Sequence, residues 1–273
     1  MEDASTEQNA AAAAAATMPM SRLGAYENAV ELVETATEEI LLLWALQQPA
    51  SRRQNLFVRH SSQTLAIDAC GQHLTIHQSP SSMSMPGVTG AVMWDSGIVL
   101  GKFLEHSVDS GTLRLHGKRI IELGAGCGLV GCIAALLGAD AVLTDLPDRL
   151  KLLKKNVDQN VEKGNRRGST LVTELVWGDD LDQELLDPLP DIVLGSDVVY
   201  SEGAVEDLLL TLKQICGFQT TVFLAGELRN DAVLEYFFEV AMKEFLIGRV
   251  DKTQWHPDYR SDRVALYVLV KKR

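Results

Sequence analysis

The sequence predicts an α/β fold: a doubly wound, mostly parallel seven-stranded sheet with an N-terminal helix and β-hairpin extension. Three observations predict it. From Lys118 onward, β-branched runs alternate with amphipathic helices, as in a parallel sheet covered on both faces. The first of these strands ends in a glycine loop, Glu122-Leu123-Gly124-Ala125-Gly126-Cys127-Gly128, which runs into an apolar helix over 129–137. The last two strands, 246–251 and 264–271, have no helix between them, which predicts an antiparallel edge.

The elements follow in order. Residues 1–22 form a low-complexity tail, acidic at first and then a pure alanine run over 10–16, and it reads as disordered. It has no arginine before Arg22, so it is not a transit peptide, and its acidic start is not that of a signal peptide. Residues 23–90 form the extension. Val30, Val33, Ile40, Leu41 and Trp44 recur at helical spacing, predicting a packing helix over 26–48 that Pro49 ends. Leu65, Ile67 and Ala69 alternate, as do Leu74 and Ile76 after Gly71-Gln72, which predicts a β-hairpin. His73 and His77 on that hairpin lack metal-binding context, and no metal is expected. The stretch 79–90 is rich in Ser, Pro, Met and Gly and reads as a loop.

Residues 91–273 form the main domain. A helix is predicted over 94–105, followed by strand one at 119–123 and strand two at 141–144, ending in Asp145. A helix after Pro147 runs to about Val161. Strand three spans 171–177, strand four 191–196, a helix 204–215, strand five 220–225 and a helix 232–244. At 273 residues the chain is long enough for one large α/β domain with a full core. A net charge of −12 argues against general nucleic-acid binding and suits a basic or lysine-bearing protein partner. Cys70, Cys127, Cys132 and Cys216 show no metal or disulfide spacing, so reduced thiols in a cytoplasmic or nuclear protein are expected. No apolar run is long enough to span a bilayer, and no membrane role is expected.

The chemistry gathers at the strand ends. Glycines at 124, 126 and 128 permit positive φ and a close ligand approach, and the N–H groups at the following helix start favour electron-rich atoms. Two cofactor readings compete. The dinucleotide fingerprint needs glycine where Leu129 stands. Glu122 would repel a diphosphate yet tolerate the sulfonium and ammonium of S-adenosyl-L-methionine. Asp145 reads either as an acceptor for ribose hydroxyls or as a cap ahead of Pro147. Trp177 either packs on a purine or plugs a strand end. Trp94 is either a core aromatic or part of the cofactor mouth. Asp197 and Tyr200, closing strand four, suit an amine acceptor that a carboxylate orients, although Asp197 also reads as a helix cap. An N-P-P-Y or D-P-P-Y motif, usual for nucleic-acid methylation, is absent from Asp197-Val198-Val199-Tyr200.

The loop Glu122–Gly128 resembles motif I of the seven-strand (class I) methyltransferases. Asp197-Val198-Val199-Tyr200 resembles the D-x-x-Y signature of the family 16 protein-lysine methyltransferases. Trp94-Asp95, Thr144-Asp145-Leu146 and Trp177-Gly178 also look like that family, and the resemblance covers roughly residues 90–272. It implies transfer of a methyl group from S-adenosyl-L-methionine to a protein lysine. It also implies cofactor contacts from Trp94, Glu122, Gly124, Ala125, Gly126, Asp145, Trp177 and Ser196. Asp197 and Tyr200 would line the acceptor side, and Glu227 and Arg229, after strand five, would shape a lysine channel. Position 196 is Ser where relatives have Ala, and the region before Ser79 is longer than theirs. The closing Asp258-Tyr259-Arg260-Ser261-Asp262 looks like the members that act on valosin-containing protein, which implies a AAA ATPase partner and a monomeric enzyme. A heat-shock 70-type chaperone or an elongation factor is the alternative substrate, and a cofactor-binding module without catalysis is the alternative class.

Overall fold

The computed structural model describes residues 20–46, 55–84, 90–162 and 167–273. Most of the tail over 1–22, and part of the loop over 79–90, lie outside them. Among the described residues the chain builds a nine-stranded sheet and a separate hairpin. The strands are β1 (Met20–Ser21), β2 (Val30–Leu32), β3 (Thr64–Ala69), β4 (Gln72–His77), β5 (Arg119–Leu123), β6 (Asp140–Asp145), β7 (Ser169–Glu174), β8 (Ile192–Ser196), β9 (Thr221–Glu227), β10 (Phe245–Arg249) and β11 (Val264–Lys271). The main helices are α1 (Ala36–Leu46), α2 (Asp95–Asp109), α3 (Leu129–Leu136), α4 (Leu150–Val157), α5 (Gln183–Leu186), α6 (Glu202–Ile215) and α7 (Asp231–Ala241).

The sheet order is β1-β2-β10-β11-β9-β8-β5-β6-β7. β8, β5, β6 and β7 pair in parallel, as do β8 and β9, while β11 runs antiparallel between β9 and β10. The seven core strands and their antiparallel pair follow the sequence pattern, and β1 and β2 add two short strands at the edge. Alternation along each strand divides the core into two layers. Ile121, Val193 and Val222 face α1, α6 and α7, while Ile120, Ile192 and Phe223 face α2 and the N-terminal segment.

The extension corrects the expected helix over 26–48. Val30–Leu32 is a strand that pairs with β10, and the helix starts only at Ala36. The Thr35 side chain caps that start. The Glu38 N–H donates to Thr35 Oγ1 at 3.2 Å, and the Thr35 hydroxyl donates to the Glu38 carboxylate at 2.8 Å. Upstream, Tyr26 is buried between the rings of Phe103 and Phe223, with centroids 5.5 and 6.0 Å away. The edge strand can lie so close because position 248 is glycine; a Cβ there would meet Val30 Cγ2 at 2.2 Å.

One further boundary differs from expectation: β7 ends at Glu174, so Trp177 sits on the loop beyond it. The helical run after Pro147 ends where expected, with α4 widening after Val157 into a π turn over Asp158–Glu162. That turn serves the hairpin. The Asn156 and Asn160 amides, four residues apart, both donate to and accept from the backbone of His77 and Thr75. Two side chains thus replace a strand partner for β4.

α1 is fastened by a buried ion pair. Glu39, 2% exposed, lies 3.0 Å from Arg249 Nε and accepts the Tyr267 hydroxyl at 2.8 Å, and Arg249 also reaches Glu31. Burial still holds the Glu39 carboxyl above its ordinary range. Removing one member strands a buried charge. Arg249→Met should therefore lower the unfolding free energy by about 3 kcal/mol. The double variant Glu39→Gln with Arg249→Met should lose less, as measured by urea denaturation.

Candidate active site

The parallel strands end on one rim. β5 is the switch point, with β8 on one side and β6 on the other, where a crevice opens in such sheets. A cavity of about 400 Å³ lies there. The glycine loop forms its floor. Gly124, Gly126 and Gly128 all have positive φ, and a Cβ on Gly126 would meet the Gly90 carbonyl at 3.2 Å. Asp145, at the tip of β6, fixes the loop: its carboxylate accepts the Gly126 N–H at 2.6 Å and the Leu146 N–H at 2.7 Å. Burial raises the Asp145 carboxyl, and those two N–H donors oppose the rise.

Of the residues singled out in the sequence, Trp94, Gly124, Ala125, Gly126, Asp145, Trp177, Ser196, Asp197, Tyr200 and Arg229 line this one cavity. Two do not. Glu122 is 1% exposed and turned into the protein, where it accepts the Gly131 N–H at 2.9 Å. Its reading as a group facing the cofactor is therefore corrected. Strand alternation and the helix start place its carboxyl behind the loop, and burial pushes it from 4.5 to about 8. At neutral pH it is mostly the neutral acid, so it offers no charge to repel a diphosphate. Glu227, the last residue of β9, lines not this cavity but a smaller one that adjoins it; its buried carboxylate accepts the Asp95 N–H at 3.0 Å.

The acceptor side is built at the ends of β8 and β9. Asp197 takes φ +61°, a left-handed conformation that Asp tolerates better than most side chains. Its N–H donates to the Ala225 carbonyl at 2.7 Å, and its carboxylate accepts the Glu227 N–H at 3.1 Å and ion-pairs with Arg229. The Arg229 guanidinium lies over the Trp94 indole, 4.2 Å from the ring centroid. Trp94 also meets the His60 ring in a T-shaped contact, with centroids 4.5 Å apart. Tyr200 is 46% exposed, with its ring 6.3 Å from Trp177. Burial, then the charges of Asp145 and Asp207, raise its phenol, which therefore stays protonated at neutral pH.

A second, mostly apolar cavity of about 190 Å³ adjoins the first and shares Val198, Tyr200 and Arg229 with it. Leu224, Leu234, Phe237 and Ala265 form much of its wall.

Sequence reasoning missed several contributors. Ser201, Ala204 and Asp207 present one face of the first turns of α6 to the cavity, and their spacing of three could have shown it. Arg149 lines the opposite rim, one turn beyond Asp145. Asp95 is buried and accepts the N–H groups of Leu56, Phe57 and Val58 at 2.6, 3.1 and 3.2 Å, which seats the segment carrying His60. That link crosses nearly forty positions of chain, and no local pattern announces it.

The buried Glu122 gives a stability test. Its folded pKa lies above its unfolded one, so its contribution is fully present below about pH 4.5 and is lost as pH rises through about 8. Glu122→Gln keeps an acceptor for the Gly131 N–H and has no charge to bury. Between pH 5 and 8 the wild type should lose about 3 kcal/mol relative to this variant, as measured by denaturant titration at each pH.

The donor set suits an uncharged nucleoside bearing a cationic tail: an indole and apolar wall, a carboxylate at the tip of β6, and a glycine loop whose Ala125, Gly126 and Gly128 N–H groups already bond within the protein. Comparison with known proteins agrees. The sequence profile of the family described as lysine methyltransferase matches residues 71–244. EEF1A lysine methyltransferase 3 of Mus musculus is 38% identical over 187 residues, which is 68% of this chain and 75% of that protein. The protein N-lysine methyltransferase METTL21A of Danio rerio is 41% identical over 185 residues, 67% of this chain and 78% of that one. The chain therefore belongs to the lysine methyltransferase family and is an S-adenosyl-L-methionine-dependent protein-lysine N-methyltransferase of class I fold.

Proposed function

We propose that this enzyme methylates a lysine of an elongation factor of the EEF1A type, with Asp197 and Tyr200 holding the acceptor nitrogen where the two cavities meet. The observation that carries the site assignment is that Tyr200 and Arg229 line both cavities, with Asp197 beside them. The larger cavity would hold the cofactor, with Asp145 at its ribose and Trp177 beside its base. The bound cofactor supplies an electrophilic methyl carbon. The smaller cavity is apolar enough to sheathe the four-carbon stem of a lysine.

At the junction the chain's own groups orient the amine. The Asp197 carboxylate is fixed from two sides, by the Glu227 N–H and by Arg229, and can still accept a hydrogen bond from an amine N–H. The Tyr200 phenol stays protonated, so it acts as a hydrogen-bonding group and not as a base. Fixing the nitrogen in line with the methyl carbon is the largest service such a site can render, because attack needs only alignment and a free lone pair.

The elongation-factor reading follows the names of the relatives that resemble this chain over two thirds of its length. A AAA ATPase of the valosin-containing protein type is the second reading, and it rests on the resemblance of residues 258–262. In the structure Tyr259 packs on Phe57 at 5.4 Å and under the Lys102 ammonium at 5.0 Å. It lines neither cavity, so this resemblance bears on the outer surface and not on the acceptor site.

Parallel reactions with labelled S-adenosyl-L-methionine and purified elongation factor 1A, valosin-containing protein or a heat-shock 70-type chaperone separate the candidates. Label on a lysine of the elongation factor is expected; label confined to another partner replaces that substrate. No label on any protein of a lysate, with S-adenosylhomocysteine binding intact, would overturn the acceptor assignment. Asp197→Asn keeps a residue that tolerates the left-handed backbone. It should cut turnover by about a hundredfold while calorimetry shows S-adenosylhomocysteine still bound.

A further inference from the structure

We propose that Arg229 is a positioning residue that acts through Asp197: its guanidinium neutralises that carboxylate, so that a lysine entering the site is held as the free amine and not trapped as an ammonium. The inference rests on the reading of Asp197 as the group beside the acceptor nitrogen.

The problem is one of charge. A primary amine is a nucleophile only when it has lost its proton, and lysine carries one in water, with a pKa of about 10.4. An isolated carboxylate beside it makes matters worse. It stabilises the ammonium and raises its pKa by about 1–3 units. A site built from Asp197 alone would bind the acceptor well and leave it unreactive.

The structure does not leave Asp197 alone. Arg229 ion-pairs with one carboxylate oxygen while the other accepts the Glu227 N–H at 3.1 Å. Arg229 is itself held on several sides. Its guanidinium lies 4.2 Å from the centroid of the Trp94 ring, and its Nε is 4.0 Å from the Glu227 carboxylate. Glu227 is largely committed elsewhere, to the Asp95 N–H at 3.0 Å and to Arg263 at 3.4 Å, so Asp197 remains the principal counter-ion of Arg229.

The other groups around the junction do not undo this balance. Asp95, at the start of α2, spends its charge on three backbone N–H groups of the segment before the hairpin. His60, from that same segment, is pushed down by burial and stays neutral at physiological pH. Arg263, preceding β11, adds a second positive charge that disfavours another cation nearby; burial first, and then that charge, lower the Arg229 guanidinium from its ordinary value. From β6, Asp145 is engaged with the glycine loop; from α6, Asp207 lines the larger cavity, and after burial both charges act on the Tyr200 phenol, which they help keep protonated. Tyr200 brings a neutral phenol. What an incoming amine meets at Asp197 is thus a hydrogen-bond acceptor with its net charge cancelled. Such a group aligns the nitrogen and leaves its proton free to depart to bulk water.

The test compares the wild type with R229Q and R229K in the full chain. Methyl transfer to elongation factor 1A is followed as kcat against pH, with S-adenosylhomocysteine binding measured as the control for folding. The rate should rise with pH as the bound ammonium loses its proton. In R229Q the rising limb should move to higher pH by about one unit, so the rate falls about tenfold at about pH 7 and recovers at high pH. R229K keeps the charge and should hold the rising limb at the wild-type pH, whatever its plateau rate. Carbon-detected NMR of the Asp197 carboxyl gives a readout independent of any acceptor: its pKa should rise by about one unit or more in R229Q and hold in R229K. A profile lowered equally at every pH, or an Asp197 titration unmoved in R229Q, overturns the inference and marks Arg229 as structural. A wild type that labels no acceptor while binding S-adenosylhomocysteine sinks the lysine reading and the inference with it. An active wild type whose R229Q profile does not shift sinks the inference alone.

Discussion

A single carboxylate at the tip of β6 organises the business end of this molecule. Asp145 reaches across to the glycine loop of the neighbouring strand and takes the Gly126 N–H, while the Ala125 N–H donates to the Thr144 carbonyl at 2.9 Å and the Thr144 hydroxyl to the Glu122 carbonyl at 2.7 Å. These bonds sew a flexible loop to a rigid strand. The loop can be open enough to admit a nucleoside only because it has no side chains at its tightest points, and it can be ordered only because something else holds it. The carboxylate accepts the desolvation cost of that position because two backbone donors face it.

The same logic governs the opposite side of the crevice. Asp197 turns the chain in a left-handed conformation at the end of β8, and its backbone and side chain both bond to the end of β9. The two acids flank β5 from either side and hold the mouth of one cavity to fixed dimensions. Between them the aromatic groups Trp94, Trp177 and Tyr200 supply flat apolar surface with few rotatable bonds, which suits a site that must hold its ligand in one pose.

Much of this was legible in the sequence, and the reasons are physical. The core strands declare themselves because burial on both faces demands apolar runs, and the glycine loop because no other residue takes its backbone. The segment over 26–48 misled because Val30 and Val33 satisfy a helical spacing while belonging to a strand and its exit; Thr35 and Glu38, three apart, marked the true start of the helix. Glu122 misled because proximity in sequence to a ligand loop says nothing of which face a strand residue takes; its carboxyl went to Gly131. The pairing of Arg229 with Asp197 was hidden altogether. It joins two residues thirty-two positions apart, each just past the end of a strand, and only the sheet order brings them together.

The hairpin invites a different thought. It is held to the domain through the Asn156 and Asn160 amides and through Glu105 and Lys102, which bond the backbone of Cys70 and Asp68, and it shares no strand ladder with the main sheet. An ornament attached by rungs of side chain can be lengthened, shortened or exchanged without re-registering a single strand behind it. The sheet that carries the site is thereby relieved of any pairing constraint from the hairpin.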